Sequence, residues 1–414
     1  MQNTIAVPPP AGEKLSPAAG TGVPVLPQRI TSIDVYRGFV MLLMMGEILS
    51  FETVSGALPQ NTVWHLLAFN QSHVPWTWCS LHDMIQPSFS FLVGVALPYS
   101  IAGRKKTGAG FGALMKHTVI RSVILVGLGI FLRSMHSTQT YFTFEDTLSQ
   151  IGLGYTFLVL ISFCPKHIQI LTLMLILAGI WLAFALYPLP GPNFDYASVG
   201  VPPDWQYNAH GFAGHWNKNT NLAWAFDRWF LNLFPRQQTF AYNGGGYATL
   251  SFIPTLGTMM LGLFAGQALR SPTAGKEKLK YFVILGFSLI ALGTILQVTG
   301  INPVVKRIWT PAWTIFSGGI CFLFLAFFYG VIDVAGKKKW SFLFMVIGMN
   351  SIVAYILADG FSPFIVNSLY IHLGQHYDQV LGMAYTTLVK GSLVLLLEWL
   401  ILYRMYRKKI FIKI

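Results

Sequence analysis

The sequence predicts an all-α, polytopic transmembrane helix bundle of about ten spans, and three observations predict it. Of the 414 residues, 54% are hydrophobic and only 10% charged, against roughly 25% charged in an average soluble domain. Apolar runs long enough to cross a bilayer recur along the chain. The 28 Lys and Arg gather in short clusters between those runs rather than on one amphipathic face, so membrane topology, not nucleic acid, accounts for the net charge of +13.

Residues 1–29 contain Pro8, Pro9 and Pro10 with several Gly and Ala and lack the apolar core of a signal peptide; they read as a disordered cytoplasmic tail. Residues 30–414 read as one transmembrane domain. A span needs about 20 mostly apolar residues, and such segments fall at 33–52, 84–103, 115–134, 147–164, 168–188, 247–269, 280–299, 310–333, 341–358 and 385–406. The stretch 361–373 is apolar but short and interrupted by Pro363, which suits a re-entrant or interfacial piece. Arg104, Lys105, Lys106 and Lys116, then Lys276, Lys278 and Lys280, then Lys337, Lys338 and Lys339, then Arg404, Arg407, Lys408 and Lys409 all fall on the same side of alternating spans. That side holds roughly 20 of the 28 basic residues and is cytoplasmic by the positive-inside rule. Both termini are then cytoplasmic. Two loops face outward, 51–82 and a long one at about 188–246 rich in Trp, Asn and Gly.

Ionisable groups inside spans cost several kcal/mol unless paired or wet, so each is a candidate site. Asp34 and Arg37 lie three residues apart on one helical face and suit an ion pair. Glu47 follows near the outer end of the same span, where a hydrated interfacial carboxylate and a proton-exchanging group are both open readings. The densest polar cluster runs from His73 through Trp76, Ser80, His82 and Asp83 into Pro87 and Gly94. A carboxylate beside a histidine can orient it as general base or nucleophile, which makes His73 and Asp83 the candidate catalytic pair, with His82 close behind. Pro87 is expected to kink the helix and Gly94 to make a close helix contact. Lys306 and Arg307 sit in an outer loop where the positive-inside rule disfavours them, suiting a substrate contact or a salt bridge to an outer carboxylate such as Asp227. Asn350 lies in the ninth span, where its amide needs a partner. Trp205, Trp216, Trp224 and Trp229 could face a sugar or form an interfacial belt. Cys79, Cys164 and Cys321 lie outside ligand spacing of one another, and His210 and His215 lack a nearby acid or Cys, so no metal site is expected.

At these residues the chain resembles the heparan-α-glucosaminide N-acetyltransferase family of membrane acyltransferases and its bacterial relatives. The resemblance rests on Ser32-Ile-Asp34-Val-Tyr-Arg37-Gly38, on His73-Val-Pro-Trp76 followed by Asp83, Pro87, Phe91 and Gly94, on Asn221-Leu222 with Asp227-Arg228, on Gly246 to Pro254 with Gly262, on Pro303 to Thr310, and on Gly348-Met-Asn350-Ser351 with Tyr355. It covers nearly the whole chain after residue 30, without the luminal domain that precedes the spans of the heparan enzyme. It implies transfer of an acetyl group from cytosolic acetyl-CoA to an amino sugar or other saccharide on the far side of the membrane, with His73 at the family's histidine. Two departures touch the acceptor side: Glu47 stands near where the heparan enzyme has a functional Asn, and Thr77-Trp78 replaces the usual Asn-Gly.

On this reading Arg37, Lys116 and Arg121 are candidates to hold the phosphates of acetyl-CoA, which enters as co-substrate, and Asn350 to line its path; plain topology explains the same cations. Glu47, Trp76, Asp227 and Lys306 fall on the acceptor side. The expected partners are a saccharide, membrane lipids and, as one assembly, a second copy of the chain in a homodimer; the expected location is a bacterial inner membrane. A saccharide or lipid-linked sugar transporter or flippase is the main alternative, and an acyltransferase acting on hydroxyls is a third reading.

Overall fold

In a bilayer every backbone N–H and C=O must be paired within the protein, and the chain meets that demand with helices. The computed structural model describes residues 30–135 and 137–412; the expected tail at 1–29 lies outside the described residues. In order, the helices are α1 Thr31–Met45, α2 Phe51–Ala57, α3 Thr62–Gln71, α4 Ile85–Lys106, α5 Phe111–Ser134, α6 Thr147–Ser162, α7 Lys166–Leu186, α8 Leu222–Phe230, α9 Phe252–Arg270, α10 Gly275–Val298, α11 Pro311–Phe328, α12 Phe342–Gly348, α13 Ser351–Ile356, α14 Ser362–Leu373 and α15 Thr386–Arg407. The only β pairing among the described residues is an isolated antiparallel bridge between Thr77 and Val305.

Among the described residues, eight helical stretches are long and apolar enough to cross a membrane: His82–Lys106, Phe111–Ser134, Lys166–Leu186, Thr249–Arg270, Gly275–Val298, Pro311–Val334, Ser351–Leu373 and Met383–Arg407. A ninth arises when Thr31–Leu49 and Phe51–Ala57 count as one span bent by 42°. Helix α6 is apolar but has only 16 residues, a rise of about 24 Å.

The structure departs from the expected segments at the ninth. Instead of one span at 341–358, a short apolar helix, Lys339–Gly348, ends at Met349 and Asn350, and Ser351–Leu373 runs on as a separate 23-residue helix. The stretch 361–373 is therefore the second half of a long helix, not a re-entrant piece. A π-helical turn at Leu357–Phe361 precedes α14, so Pro363 falls in a first turn, where its missing N–H and its ring are tolerated. Pro87 likewise sits in the first turn of α4 rather than at a kink; the proline inside that helix is Pro98, whose carbonyl accepts a 2.7 Å bond from Arg270 Nη1.

Lipid tails give no hydrophobic push between helices, so the bundle relies on close backbone approach at small residues. A Cβ on Gly94 of α4 would lie 1.9 Å from the Met259 carbonyl oxygen of α9, and one on Gly262 would lie 1.9 Å from that of Phe91. Helix α1 meets α12 in the same way: a Cβ on Gly348 would lie 1.9 Å from the Asp34 carbonyl oxygen. Tyr36 of α1 donates to Ser88 Oγ of α4 at 2.9 Å inside this core. The Tyr36–Ser88 bond ties α1 to the first turn of α4, and the polar cluster gathers at the entry to that helix.

Candidate active site

The entry to α4 is built as a reciprocal cap. Ser80 Oγ accepts the Asp83 amide at 3.3 Å while Asp83 Oδ2 accepts the Ser80 amide at 3.1 Å, the Ser-x-x-acid capping box. Asp83 Oδ2 also accepts from Ser80 Oγ at 3.2 Å and from the Val74 amide at 3.2 Å. One carboxylate oxygen is thus committed to fixing the loop that carries His73.

The other oxygen, Oδ1, makes the chemistry. It lies 2.8 Å from His73 Nδ1 and 3.1 Å from Lys306 Nζ. Asp83 is 1% exposed and Lys306 6%, whereas the His73 ring is 39% exposed. Because a carboxylate only accepts, Nδ1 carries the ring proton, and Nε2 keeps its lone pair on the accessible side. The Lys306 ammonium stands 3.2 Å from the same Nδ1. Burial first, and then the neighbouring ammonium, hold the His73 pKa below its ordinary value, against the opposing pull of Asp83. The arrangement favours a neutral, oriented imidazole.

Lys306 arrives from a distant part of the chain by a backbone device. Trp78 N donates to the Val304 carbonyl at 3.0 Å next to the Thr77–Val305 bridge, so the 304–306 segment lies along the His73 loop. Trp78 and Trp309 take left-handed φ of 71° and 49° at the bends on either side. Arg307 ties the same loops together, donating to the Gly245 carbonyl at 2.7 Å and the Val74 carbonyl at 3.2 Å. Lys306 therefore pairs with Asp83, not with Asp227.

Next to this triad His82, 6% exposed, places Nε2 3.7 Å from Glu47 Oε2, and the His73 and His82 ring centroids are 4.7 Å apart. Glu47 is 69% exposed. The structure thus brings His73, Asp83, Lys306, His82 and Glu47 to one place. Cys79 is beside it, but burial pushes its thiol up to about 12, which leaves it a poor nucleophile.

Two residues expected on the acceptor side are core. Trp76 is 2% exposed and packs with Ile180, Phe184, Trp216 and Val305, its Nε1 donating to the Trp216 carbonyl at 3.2 Å; a side chain with no open face offers a ligand nothing. Asp227 is 3% exposed, and its Oδ2 accepts the Thr249 amide at 2.9 Å, joining α8 to the approach of α9. Burial raises its carboxyl to about 7. Trp216 is enclosed with Trp76, whereas Trp229 is 61% exposed.

The expected donor-side residues separate. Arg37 pairs with Asp34 at 3.4 Å. Lys116 is exposed on α5. Arg121 enters a narrow polar slot among α4, α5 and α6, lined also by Ser100, Arg104, His117 and Tyr155; its Nη1 donates to Tyr155 Oη at 3.1 Å and its guanidinium lies 4.6 Å from that ring centre. Arg121 Nε is buried without a hydrogen-bond partner. Asn350 lines no such path. Its Nδ2 donates to the Ile410 carbonyl at 3.0 Å and its Oδ1 accepts the Ile412 amide at 3.1 Å, so both ends of the amide are spent anchoring the chain after α15.

No family model matches the chain. Heparan-alpha-glucosaminide N-acetyltransferase of Homo sapiens is 23% identical to it over 430 residues, covering 94% of this chain and 60% of the relative. The Mus musculus protein of the same name is 22% identical over 433 residues, covering 93% and 60%. The chain thus spans about 60% of the length of these curated relatives, and it is distantly related to them.

Proposed function

We propose that this distant relative of the heparan-alpha-glucosaminide N-acetyltransferases is a membrane-embedded acetyltransferase, moving an acetyl group from acetyl-CoA on the cytoplasmic side to an amino sugar or other saccharide on the opposite side. The observation that carries the reading is the Asp83–His73–Lys306 arrangement. It supplies an oriented neutral imidazole with Nε2 open, the electronic state that attack on a thioester carbonyl requires.

In the first step the Nε2 lone pair attacks the acetyl carbonyl, the carbon–sulfur bond breaks, and CoA leaves as thiolate. The acetyl-imidazolium carries positive charge, and the Asp83 carboxylate at Nδ1 is placed to stabilise it. In the second step the acceptor displaces the acetyl group and the electron pair returns to Nε2. The spacing of the Lys and Arg clusters along the sequence supports an orientation with both termini cytoplasmic and the α4 entry outside.

The test is incubation of the purified full-length chain with acetyl-labelled CoA and a panel of amino sugars, beside His73→Ala. Label on the wild-type protein and on product, and on neither with the variant, is the expected result; transfer that survives His73→Ala refutes the reading.

A further inference from the structure

Glu47 lies where the chain breaks its own helix, and that break is fixed with care. Helix α1 tightens into a 3-10 turn at Gly46–Leu49, and Ser50 takes a left-handed φ of 47° before α2 begins. A single amide clamps both ends of the turn: Gln71 Nε2 donates to the Gly46 carbonyl at 2.7 Å, and its Oε1 accepts the Phe51 amide at 2.7 Å. From the other side Gly391 of α15 is pressed on it; a Cβ there would come 2.5 Å from the Ile48 carbonyl oxygen. A membrane span ending in plain solvent needs no such clamp. It serves to aim the one side chain of this turn that ionises.

That side chain points into the site. Its Oε2 is 3.7 Å from buried His82 Nε2, His82 packs against His73, and yet the carboxylate keeps most of its surface free. Asp83 is enclosed and fully committed to His73, Lys306, Ser80 and Val74, so it cannot accept a further proton from a substrate without dismantling the site. Glu47 is the nearby carboxylate that can.

We infer that Glu47 is the catalytic base of the second half-reaction, taking the proton from an amine acceptor as it attacks the acetyl group on His73, with Gln71 and His82 holding it in place. This rests on the acetyltransferase reading above. The nitrogen lone pair forms the new bond to the acetyl carbon, the bond from that carbon to Nε2 breaks with its pair returning to His73, and the proton leaving the nitrogen goes to Glu47 and on to water. The first half-reaction needs no such base, so the two halves divide between the residues.

The experiment measures both halves on the full-length chain: label retained on the protein from acetyl-CoA, and its discharge by glucosamine as the probe amine or by hydroxylamine, a strong nucleophile that needs little assistance. Glu47→Gln should acylate as the wild type does and be discharged normally by hydroxylamine, while discharge by glucosamine slows about 100-fold or more, within the usual range for a lost general base. Formate should restore part of the glucosamine rate to Glu47→Ala. Wild-type discharge by glucosamine in Glu47→Gln, or equal loss of acylation and discharge, overturns the inference, the latter by showing a structural role. A wild-type acyl-enzyme that glucosamine does not discharge overturns the amine acceptor. Absence of any wild-type acyl-enzyme overturns the acetyltransferase reading itself.

Discussion

Replacing Lys306 by Met tests the electrostatics of the site most directly. The ammonium stands 3.2 Å from His73 Nδ1 and 3.1 Å from Asp83 Oδ1. At 3.2 Å two unit charges repel by about 5 kcal/mol at an effective dielectric of 20 and about 1.3 kcal/mol in water. The partly exposed His73 ring belongs nearer the second figure, so about 1–2 kcal/mol of repulsion now opposes the imidazolium. Removing it lets His73 hold its proton to higher pH. The sign follows: His73 is depressed in the wild type, its neutral form persists further into acid, and the variant loses that reach. The acidic limb of the acylation rate should move to higher pH, with rates up to about tenfold lower on the acid side and convergence with wild type well above neutrality. Stability should fall by about 3 kcal/mol, the lower end for a broken buried pair, since Asp83 keeps its bonds to Ser80, Val74 and His73. Lys306→Arg keeps the charge and should keep the limb. The assay is the pH dependence of label transfer from acetyl-CoA to the protein; an unmoved acidic limb in Lys306→Met, in protein that is shown to be folded, refutes the reasoning.

Trp76→Ala should cost about 3–5 kcal/mol in thermal or denaturant unfolding, because it empties a core site, and Trp76→Phe should leave the KM for the acceptor unchanged; a raised acceptor KM in Trp76→Phe would return Trp76 to the binding surface. Asn350→Ala strips two hydrogen bonds from the chain after α15, so trypsin should cut at Arg407, Lys408 and Lys409 several-fold faster, with no change in the KM for acetyl-CoA. Arg121→Gln should raise the KM for acetyl-CoA by about 10- to 150-fold, as expected for one charge-assisted contact of about 1.5–3 kcal/mol, whereas Lys116→Gln should leave it near wild type.

What could be read in the sequence was whatever depends on local chemistry. Hydropathy located most helices, and His73 with Asp83 stood out because ionisable groups crowd an apolar helix start. The Ser80-x-x-Asp83 box was legible as well and would have placed Asp83 in a first turn, its oxygens aimed back at the loop. Contacts made across the chain were not legible. Lys306 lies 223 positions from Asp83, and the pairing of the 77–78 and 304–305 segments, with the Arg307 bond to the Val74 carbonyl, brings them together. Trp76 and Asp227 looked like ligand groups because an aromatic or an acid reads the same whether it faces a sugar or fills a core; enclosure decided it. The ninth segment was misplaced for a different reason: Pro363 reads as a break, and the π turn that absorbs it leaves no mark in a hydropathy pattern.

Length along the helices selects among the proposed donor contacts. Asp83 and Arg104 belong to one continuous helical stretch, His82–Lys106, and the 21 residues between them rise about 31 Å, the thickness of the hydrocarbon core. The arm of acetyl-CoA from sulfur to the first phosphorus has about 13 bonds and reaches about 15 Å when extended, at the span per bond of a stretched backbone. Phosphates held below the slot, at the backbone level of Arg104, would leave the thioester about half the membrane short of His73. Arg121 is differently placed. Its partner Tyr155 stands nine residues into α6 from the capping Asp146, about 13 Å below that end, while the upper edge of the slot at Leu97 is about 21 Å below Asp83 along α4. Those two distances bracket the arm. Lys116 lies five residues further from His73 than Arg121 on α5, about 7.5 Å deeper, beyond reach of a phosphate whose thioester touches His73. The proposed reaction therefore needs its donor drawn well into the bundle, with the phosphates at the Arg121–Tyr155 level. The buried, unpartnered Nε of Arg121 is the kind of donor that an entering anion would satisfy.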